Sequence, residues 1–172
     1  MNNLIPFQEL TSDRIVLRSL KKSDKKIVQF LRSDPTVNQF IIRPRTNTEK
    51  EALEFISMIQ EGEKIAKHYY WVISLQSNPK MIGSISLWNF SDDRLFAEVG
   101  YDLHPEFQGK GLMSETLKMV LKFGFDRLGL KGIEAYTQQN NHPSRKMLLN
   151  NGFTLVKGKT DPANSDNLIY QI

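Results

Sequence analysis

The chain has 172 residues, of which 40% are hydrophobic and 24% charged, and a formal net charge of +4. This balance is typical of a globular protein, and we expect one domain over residues 1–172 with a single hydrophobic core. The sequence contains no cysteine, which excludes disulfides, thiolate metal sites and a cysteine nucleophile. It has no apolar run long enough to cross a bilayer and no secretory signal in residues 1–10, so we expect a cytoplasmic protein without membrane contact.

The first predicted elements are a strand and two amphipathic helices. Residues 14–18 are β-rich with alternating polarity, which predicts a strand. Ser23 suits the N-cap of a short helix that ends before Pro35. Thr48 and Glu51 form a capping-box pattern, which predicts the start of a second helix with apolar residues on one side.

The middle of the chain predicts three strands followed by a long helix. Residues 69–75 and 81–88 have strand composition and are separated by a polar turn, which predicts a β-hairpin. Residues 95–103 predict the next strand. A glycine-rich turn separates this strand from an apolar-periodic helix over residues 114–128.

The C-terminal part predicts a short strand, a short helix and two last strands. Residues 133–137 form the first strand, and Pro143 lies near the first position of a helix that ends at Gly152. Residues 153–157 and 168–172 predict the remaining strands. The order of the elements indicates a mixed sheet covered by helices, in the α+β or α/β class.

Part of the positive charge is concentrated in four lysines, Lys21, Lys22, Lys25 and Lys26. Such a patch is compatible with RNA or an acidic partner. No aromatic residues interleave with these lysines to stack on bases, however, and the solvated start of a helix is the favoured interpretation. We therefore expect no specific nucleic-acid partner.

The most informative segment is the glycine-rich turn at residues 108–113. Its backbone N–H groups are expected to point outward at the positive end of the following helix, which makes an anion cradle. A Rossmann fingerprint would need glycine or alanine at Ser114, and a Walker A loop would need Ser or Thr where Gly111 follows Lys110. Both nucleotide motifs fit poorly, and tight glycine packing at a helix start is the structural alternative.

The glycine-rich turn resembles the pyrophosphate signature of the GNAT superfamily of acetyl-CoA-dependent N-acetyltransferases. That signature is Gln/Arg-x-x-Gly-x-Gly/Ala after a strand that ends near a proline. Here Pro105 follows the strand, and Gln108 and Gly111 occupy the signature positions. Met113 departs from the usual small residue.

Three further segments extend the resemblance over most of the chain in the expected order. Asn141, Ser144 and the pairs at 147–148 and 152–153 resemble the family's second CoA-side motif. Residues 11–18, followed by Asp24, and residues 97–101 resemble the opening and central strands of the ribosomal-protein (Rim-like) branch.

The resemblance implies a GNAT fold of the α+β class, with a central mixed, mostly antiparallel sheet of six to seven strands flanked by about four helices. It implies acetyl-CoA as co-substrate and no metal. The turn amides would hold the pyrophosphate with Lys110 adding positive charge, and the Leu103 amide is the best candidate to polarise the acetyl carbonyl. The implied cofactor-binding residues are Tyr101, Leu103, Gln108, Gly109, Lys110, Gly111, Leu112, Met113, Asn141 and Ser144.

The candidate catalytic residues are Glu98 and Ser144. Glu98 stands in the middle of a predicted strand, where an acidic residue is costly unless it faces a cleft, so it is the candidate base. Pairing with a nearby Arg or Lys is the structural alternative, and Asp102 on the same strand face is the reserve base. The resemblance places Ser144 near the CoA sulfur as the candidate acid, since Leu148 stands where many GNAT enzymes have a tyrosine acid.

The resemblance predicts an N-acetyltransferase that acts on a primary amine, either a protein N-terminus or a small molecule. The alternative is a catalytically inactive CoA-binding GNAT module that acts as a sensor or scaffold. Related enzymes often dimerise through their C-terminal strands, which makes a homodimer a further expectation. The candidate acceptor-side residues are Phe40, Arg43, Arg45, Tyr69, Tyr70, Trp71 and Trp88.

Overall fold

The computed structural model describes residues 4–172; residues 1–3, part of the N-terminal segment searched for a signal, lie outside the described residues. The strands of this range are β1 Leu10–Thr11, β2 Ile15–Arg18, β3 Tyr69–Leu75, β4 Asn78–Trp88, β5 Phe96–Leu103, β6 Gly132–Gln138, β7 Thr154–Leu155 and β8 Asn167–Gln171. The helices are α1 Lys25–Ser33, α2 Glu49–Lys64, α3 Leu112–Asp126 and α4 His142–Asn150. Short 3-10 turns at Lys22–Asp24 and Pro105–Phe107 precede α1 and α3.

The described strands form one eight-stranded sheet in the order β1-β2-β3-β4-β5-β6-β8-β7. The mixed α+β class, the mostly antiparallel sheet and the four helices are confirmed. The expectation of six to seven strands is too low, because the two-residue edge strand β1 has no counterpart among the predicted strands. The other two-residue edge strand, β7, lies within the strand predicted at residues 153–157. Two residues are too few to leave an alternating pattern in the sequence.

Strands β5 and β6 separate before β5 ends. β5 and β6 run parallel and pair from Phe96–Gly132 to Val99–Ala135. β4 continues beside β5 as far as the Gly83–Leu103 pair. Within the described chain, residues 100–103 of β5 therefore have β4 on one side and no β6 partner on the other.

The helices cover both faces of the sheet. Trp71 and Ile73 of β3 belong to a core that includes Leu117 of α3 and Leu148 of α4, whereas Val72 belongs to a second core with α1 and α2. Because side chains alternate across a strand, α3 and α4 pack on one face and α1 and α2 on the other.

Helix α2 begins as its sequence predicts. The Thr48 hydroxyl accepts a hydrogen bond from the Glu51 N–H at 3.2 Å, and the Glu51 carboxylate accepts one from the Thr48 N–H at 2.9 Å. Ala52, Ile56 and Ile59 follow at helical spacing and are buried against the sheet. The capping box thus sets where the long connection from α1 ends.

No helix of residues 4–172 has the length and apolar character needed to span a bilayer. Across the same range, no three His, Asp or Glu side chains gather as a metal site would require.

Candidate active site

A cleft of about 700 Å³ opens at the end of β5. It is bordered by Tyr101 to Leu103, the glycine-rich turn, one side of α4 and the segment 36–41 between α1 and α2. The predicted cofactor-binding residues that line it are Tyr101, Leu103, Gln108, Gly109, Gly111, Leu112, Met113, Asn141 and Ser144. Lys110 belongs to the same turn but is not among the described lining residues.

The glycine-rich turn has the backbone conformation of an anion cradle. Gly109 and Gly111 have φ values of 71° and 74°, in the left-handed region that favours glycine. A Cβ on Gly109 would have no described atom within 4 Å, so the turn faces open space. Gly111 is the N-cap of α3 and offers no side chain to the first amides, which leaves them available to a ligand.

The Arg14 side chain binds the backbone of this turn. Its guanidinium donates to the Lys110 carbonyl at 3.2 Å and to the Glu115 carboxylate at 2.7 Å. Ser12 donates to the same carboxylate at 2.6 Å, and this hydrogen bond, with help from Arg14, lowers the pKa of Glu115. From the sequence, Arg14 is predicted only as part of the opening strand, because its partner Glu115 lies 101 residues away.

The backbone of β5 directs polar groups into the gap beside it. The His104 N–H donates to the Ile82 carbonyl at 2.8 Å, so His104 and Ile82 form a hydrogen-bonded pair. Such pairs alternate along an antiparallel ladder, so Tyr101 and Leu103 direct their N–H and C=O groups away from β4. The Leu103 carbonyl accepts from the Gln108 amide at 2.9 Å, which ties the strand end to the turn.

Two hydroxyl groups meet in the cleft. The Tyr101 phenol and the Ser144 hydroxyl are 2.8 Å apart, and either can donate. The Ser144 N–H donates to the Asn141 side chain at 3.2 Å, which caps α4. Burial raises the pKa of Tyr101 to about 12, so the phenol keeps its proton throughout the physiological range. The sequence predicts a role only for the backbone of Tyr101 and gives no signal for this side-chain contact.

Glu98 lies apart from the cleft. It borders a separate depression of about 380 Å³ with Asn89, Glu134 and Lys159. Burial raises the pKa of Glu98, while a hydrogen bond from the Asn89 amide opposes the rise. On a regular strand, the Cα atoms of Glu98 and Leu103 are about 16 Å apart. Direct contact of Glu98 with a group held at the Leu103 amide is therefore excluded by distance.

Asp102 lines the cleft, but both of its carboxylate oxygens are engaged. One oxygen accepts from the Ser84 N–H at 3.1 Å and from the Ser84 hydroxyl at 2.7 Å. The other forms an ion pair with Arg43 at 2.8 Å.

The candidate acceptor-side residues fall into three groups. Tyr69 and Trp71 are buried beside α3, and their polar atoms donate to the carbonyls of Ile5 and Gln8. Phe40 lines the cleft. The third group lies elsewhere in the molecule. Arg43 pairs with Asp102, and Tyr70 packs towards α2. Trp88 is half-exposed and Arg45 is exposed.

Comparison with known proteins agrees with this architecture. The family model described as an acetyltransferase (GNAT) domain matches residues 14–154. The chain is 30% identical over 142 residues to the uncharacterized N-acetyltransferase p20 of Bacillus licheniformis, which covers 82% of this chain and 79% of that protein. It is 26% identical over 147 residues to the uncharacterized N-acetyltransferase YoaA of Bacillus subtilis (strain 168), covering 86% and 83%.

A solved structure of RimL, the ribosomal L7/L12 alpha-N-protein acetyltransferase, in complex with coenzyme A has the same fold. Its TM-score is 0.81 at 19% identity, with 96% of this chain and 97% of that chain covered. The family match covers most of the described residues, including the glycine-rich turn and α4. The chain therefore belongs to the GNAT family of acetyltransferases and is an N-acetyltransferase.

Proposed function

We propose that this protein transfers the acetyl group of acetyl-CoA to a primary amine. The observation that carries the proposal is the meeting of three features in one cleft: the glycine-rich turn, the unpaired edge of β5 and the Tyr101–Ser144 contact. RimL, which shares the fold, is described in complex with coenzyme A.

The residues of the cleft fit this co-substrate. The turn amides at residues 109–113 would hold the pyrophosphate, with Lys110 adding positive charge. The edge of β5 left open by β6 offers backbone groups to the pantetheine arm as a partner strand would. When bound, acetyl-CoA supplies the acetyl group as a reactive thioester.

The cleft provides a hydrogen-bond donor for the acetyl oxygen and a proton donor for the departing sulfur. The Leu103 N–H is directed into the gap, where it would hold the acetyl oxygen. Ser144 Oγ would give a proton to the departing sulfur, and the Tyr101 phenol holds Ser144 in place. As the new C–N bond forms and the C–S bond breaks, the amine loses one proton and the sulfur gains one, so no further reactant is needed.

Glu98 is the proposed base and would act through intervening water. Its distance along β5 requires a relay, and its raised pKa brings it closer to the pH at which a base works best. Asp102 is the weaker choice, because Ser84 and Arg43 already occupy both of its oxygens.

The proposed acceptor is a protein N-terminus or a small-molecule amine, the first suggested by the activity of RimL as an alpha-N-protein acetyltransferase. The test is a thiol-release assay with acetyl-CoA and a panel of short peptides with free N-termini, polyamines and aromatic amines. Turnover of a panel member supports the proposal. Tight binding of acetyl-CoA without turnover of any amine would indicate a CoA-binding sensor or scaffold instead.

A further inference from the structure

The connection between α1 and α2, residues 34–48, is long and has no helix or strand among its described residues. Connections of this length inside a compact fold are uncommon unless they have a function. This loop supplies one wall of the cleft through Thr36, Val37, Gln39, Phe40 and Ile41. The Phe40 side chain at this wall is partly buried.

Arg43 joins this loop to the rest of the molecule. Its guanidinium donates to the Asn38 side chain and to the Leu31 carbonyl, both at 2.8 Å, and pairs with Asp102 at 2.8 Å. One planar group thus links the loop, the end of α1 and the strand β5. A lysine has a single ammonium and cannot reproduce this fork.

Asp102 anchors the other end of the link. Its side chain is 3% exposed and that of Arg43 is 20% exposed, so each charge depends on the other for compensation. Asp102 also directly precedes Leu103, whose amide faces the gap beside β5. A shift of the loop would therefore be transmitted to the strand position where the acetyl group is proposed to lie.

A second guanidinium group, that of Arg32, lies near the Arg43–Asp102 pair. Arg32 of α1 donates to the Thr46 hydroxyl at 3.0 Å, which binds the C-terminal part of the loop to α1. Burial, with the repulsion from Arg43, lowers the pKa of Arg32. The Asp102 carboxylate offsets both guanidinium groups, and the Tyr70 phenol beside Ser84 is a further titratable group that faces it.

We propose that the Arg43–Asp102 ion pair positions the acceptor wall of the cleft, segment 36–41, against β5. Asp102 is on this account a positioning residue and not the base. The inference deepens the proposed function, because the position of this wall would determine how an amine approaches the bound donor.

The first test needs no acceptor. Hydrogen–deuterium exchange is measured with CoA bound in the wild type, Asp102→Asn and Arg43→Gln. Each variant should exchange residues 34–41 about tenfold faster, while its Kd for CoA changes by less than about twofold. The matched control is Asp24→Asn, which breaks the buried Arg18–Asp24 pair at 2.8 Å and should leave exchange of residues 34–41 unchanged. Unchanged exchange in both cleft variants would overturn the proposal.

The second test uses the panel amine with the highest wild-type turnover. Asp102→Asn, Arg43→Gln and the double variant should each raise the KM for that amine by about tenfold without adding their effects, because one link is lost in all three. The acidic limb of the pH profile should remain. A far larger loss of kcat in Asp102→Asn than in Arg43→Gln, together with loss of that limb, would instead make Asp102 the base. If the wild type turns over no amine, the proposed function fails while the exchange experiment still decides the role of the ion pair.

Discussion

At the scale of single residues, the chemistry of the cleft depends on which polar atoms are held and which are free. Ser144 is held at two points, by the Tyr101 phenol through its hydroxyl and by Asn141 through its N–H. Asp102 is held at both oxygens. Glu98 has one neutral donor, Asn89, and keeps the capacity to accept a proton from the depression that it borders.

Ser144→Ala is expected to lower kcat about 10- to 100-fold with the KM for acetyl-CoA almost unchanged, because the proton for the sulfur is lost. Tyr101→Phe should lower kcat less, since Ser144 keeps its hydroxyl and its cap. The measurement is steady-state thiol release. Ser74→Ala, which removes a hydroxyl bound to the Val16 carbonyl outside the cleft, is the control and should leave kcat unchanged. Full kcat in Ser144→Ala would remove it as the acid.

Glu98→Gln is expected to lower kcat/KM about 100-fold and to flatten the acidic limb of its pH profile. Because the pKa of Glu98 is raised, wild-type activity should increase with pH through a midpoint above 4.5, as the carboxylate loses its proton. Glu134→Gln should keep the limb but move it to lower pH, since it removes a negative neighbour that raises this pKa. An unchanged profile in Glu98→Gln would contradict the assignment.

At the scale of elements, the cofactor end of the cleft is made by the joint between β5 and α3. The ion pair of Arg14 and Glu115 stabilises the turn. Asn151, which follows α4, donates to the Ser114 hydroxyl at 2.9 Å. Changes in this turn should therefore affect the donor and leave the acceptor side intact.

Gly111→Ala should weaken CoA binding about tenfold, because the turn must leave its left-handed conformation and its amides rotate with it. Gly158→Ala is the matched control, since Gly158 has a similar φ of 77° compared with 74° at Gly111. Both should lose roughly 1–2 kcal/mol of stability from the same strain. Calorimetric titration with CoA should distinguish them, and an equal Kd in both variants would refute the cradle.

At the scale of the whole molecule, two cores on opposite faces of one sheet carry the stability, and charges at their margins make it depend on pH. Glu63 near the end of α2 is half-buried, and its carboxylate accepts from the Tyr70 N–H at 3.3 Å. Burial raises the pKa of Glu63 from 4.5 to about 7. The folded protein therefore binds this proton more tightly than the unfolded chain, and stability should fall as pH rises from 4.5 through 7.

Glu63→Gln should be as stable as the wild type near pH 4 and more stable at pH 8, by about 1 kcal/mol after discounting for solvent screening. Urea denaturation at the two pH values measures the difference. Glu61→Gln removes an exposed carboxylate from the same helix and should show no such gain. A gain of equal size in both variants would show that burial of Glu63 is not its cause.

The sequence by itself determined the local features, because they follow from the conformational needs of single residues. The left-handed backbone at positions 109 and 111 favours glycine. The free amides at the start of α2 are bound by the side chains of Thr48 and Glu51. The order of strands and helices followed from periodicity, and the glycine-rich turn identified the donor side. The two-residue edge strand β1 left no signal in the sequence, because pairing with the longer β2 creates it. The other edge strand, β7, is shorter than the strand predicted at residues 153–157.

Only the tertiary structure decided which of these residues act together. The contacts between Arg14 and Glu115, Tyr101 and Ser144, and Arg43 and Asp102 join positions far apart in the chain. The local sequence pattern does not indicate such pairs, because it reflects only the helix or strand in which each residue lies. The partners come into contact only when the sheet is assembled. The same packing engaged Asp102 with Arg43 and kept Glu98 outside the cleft, although the two carboxylates share one face of one strand.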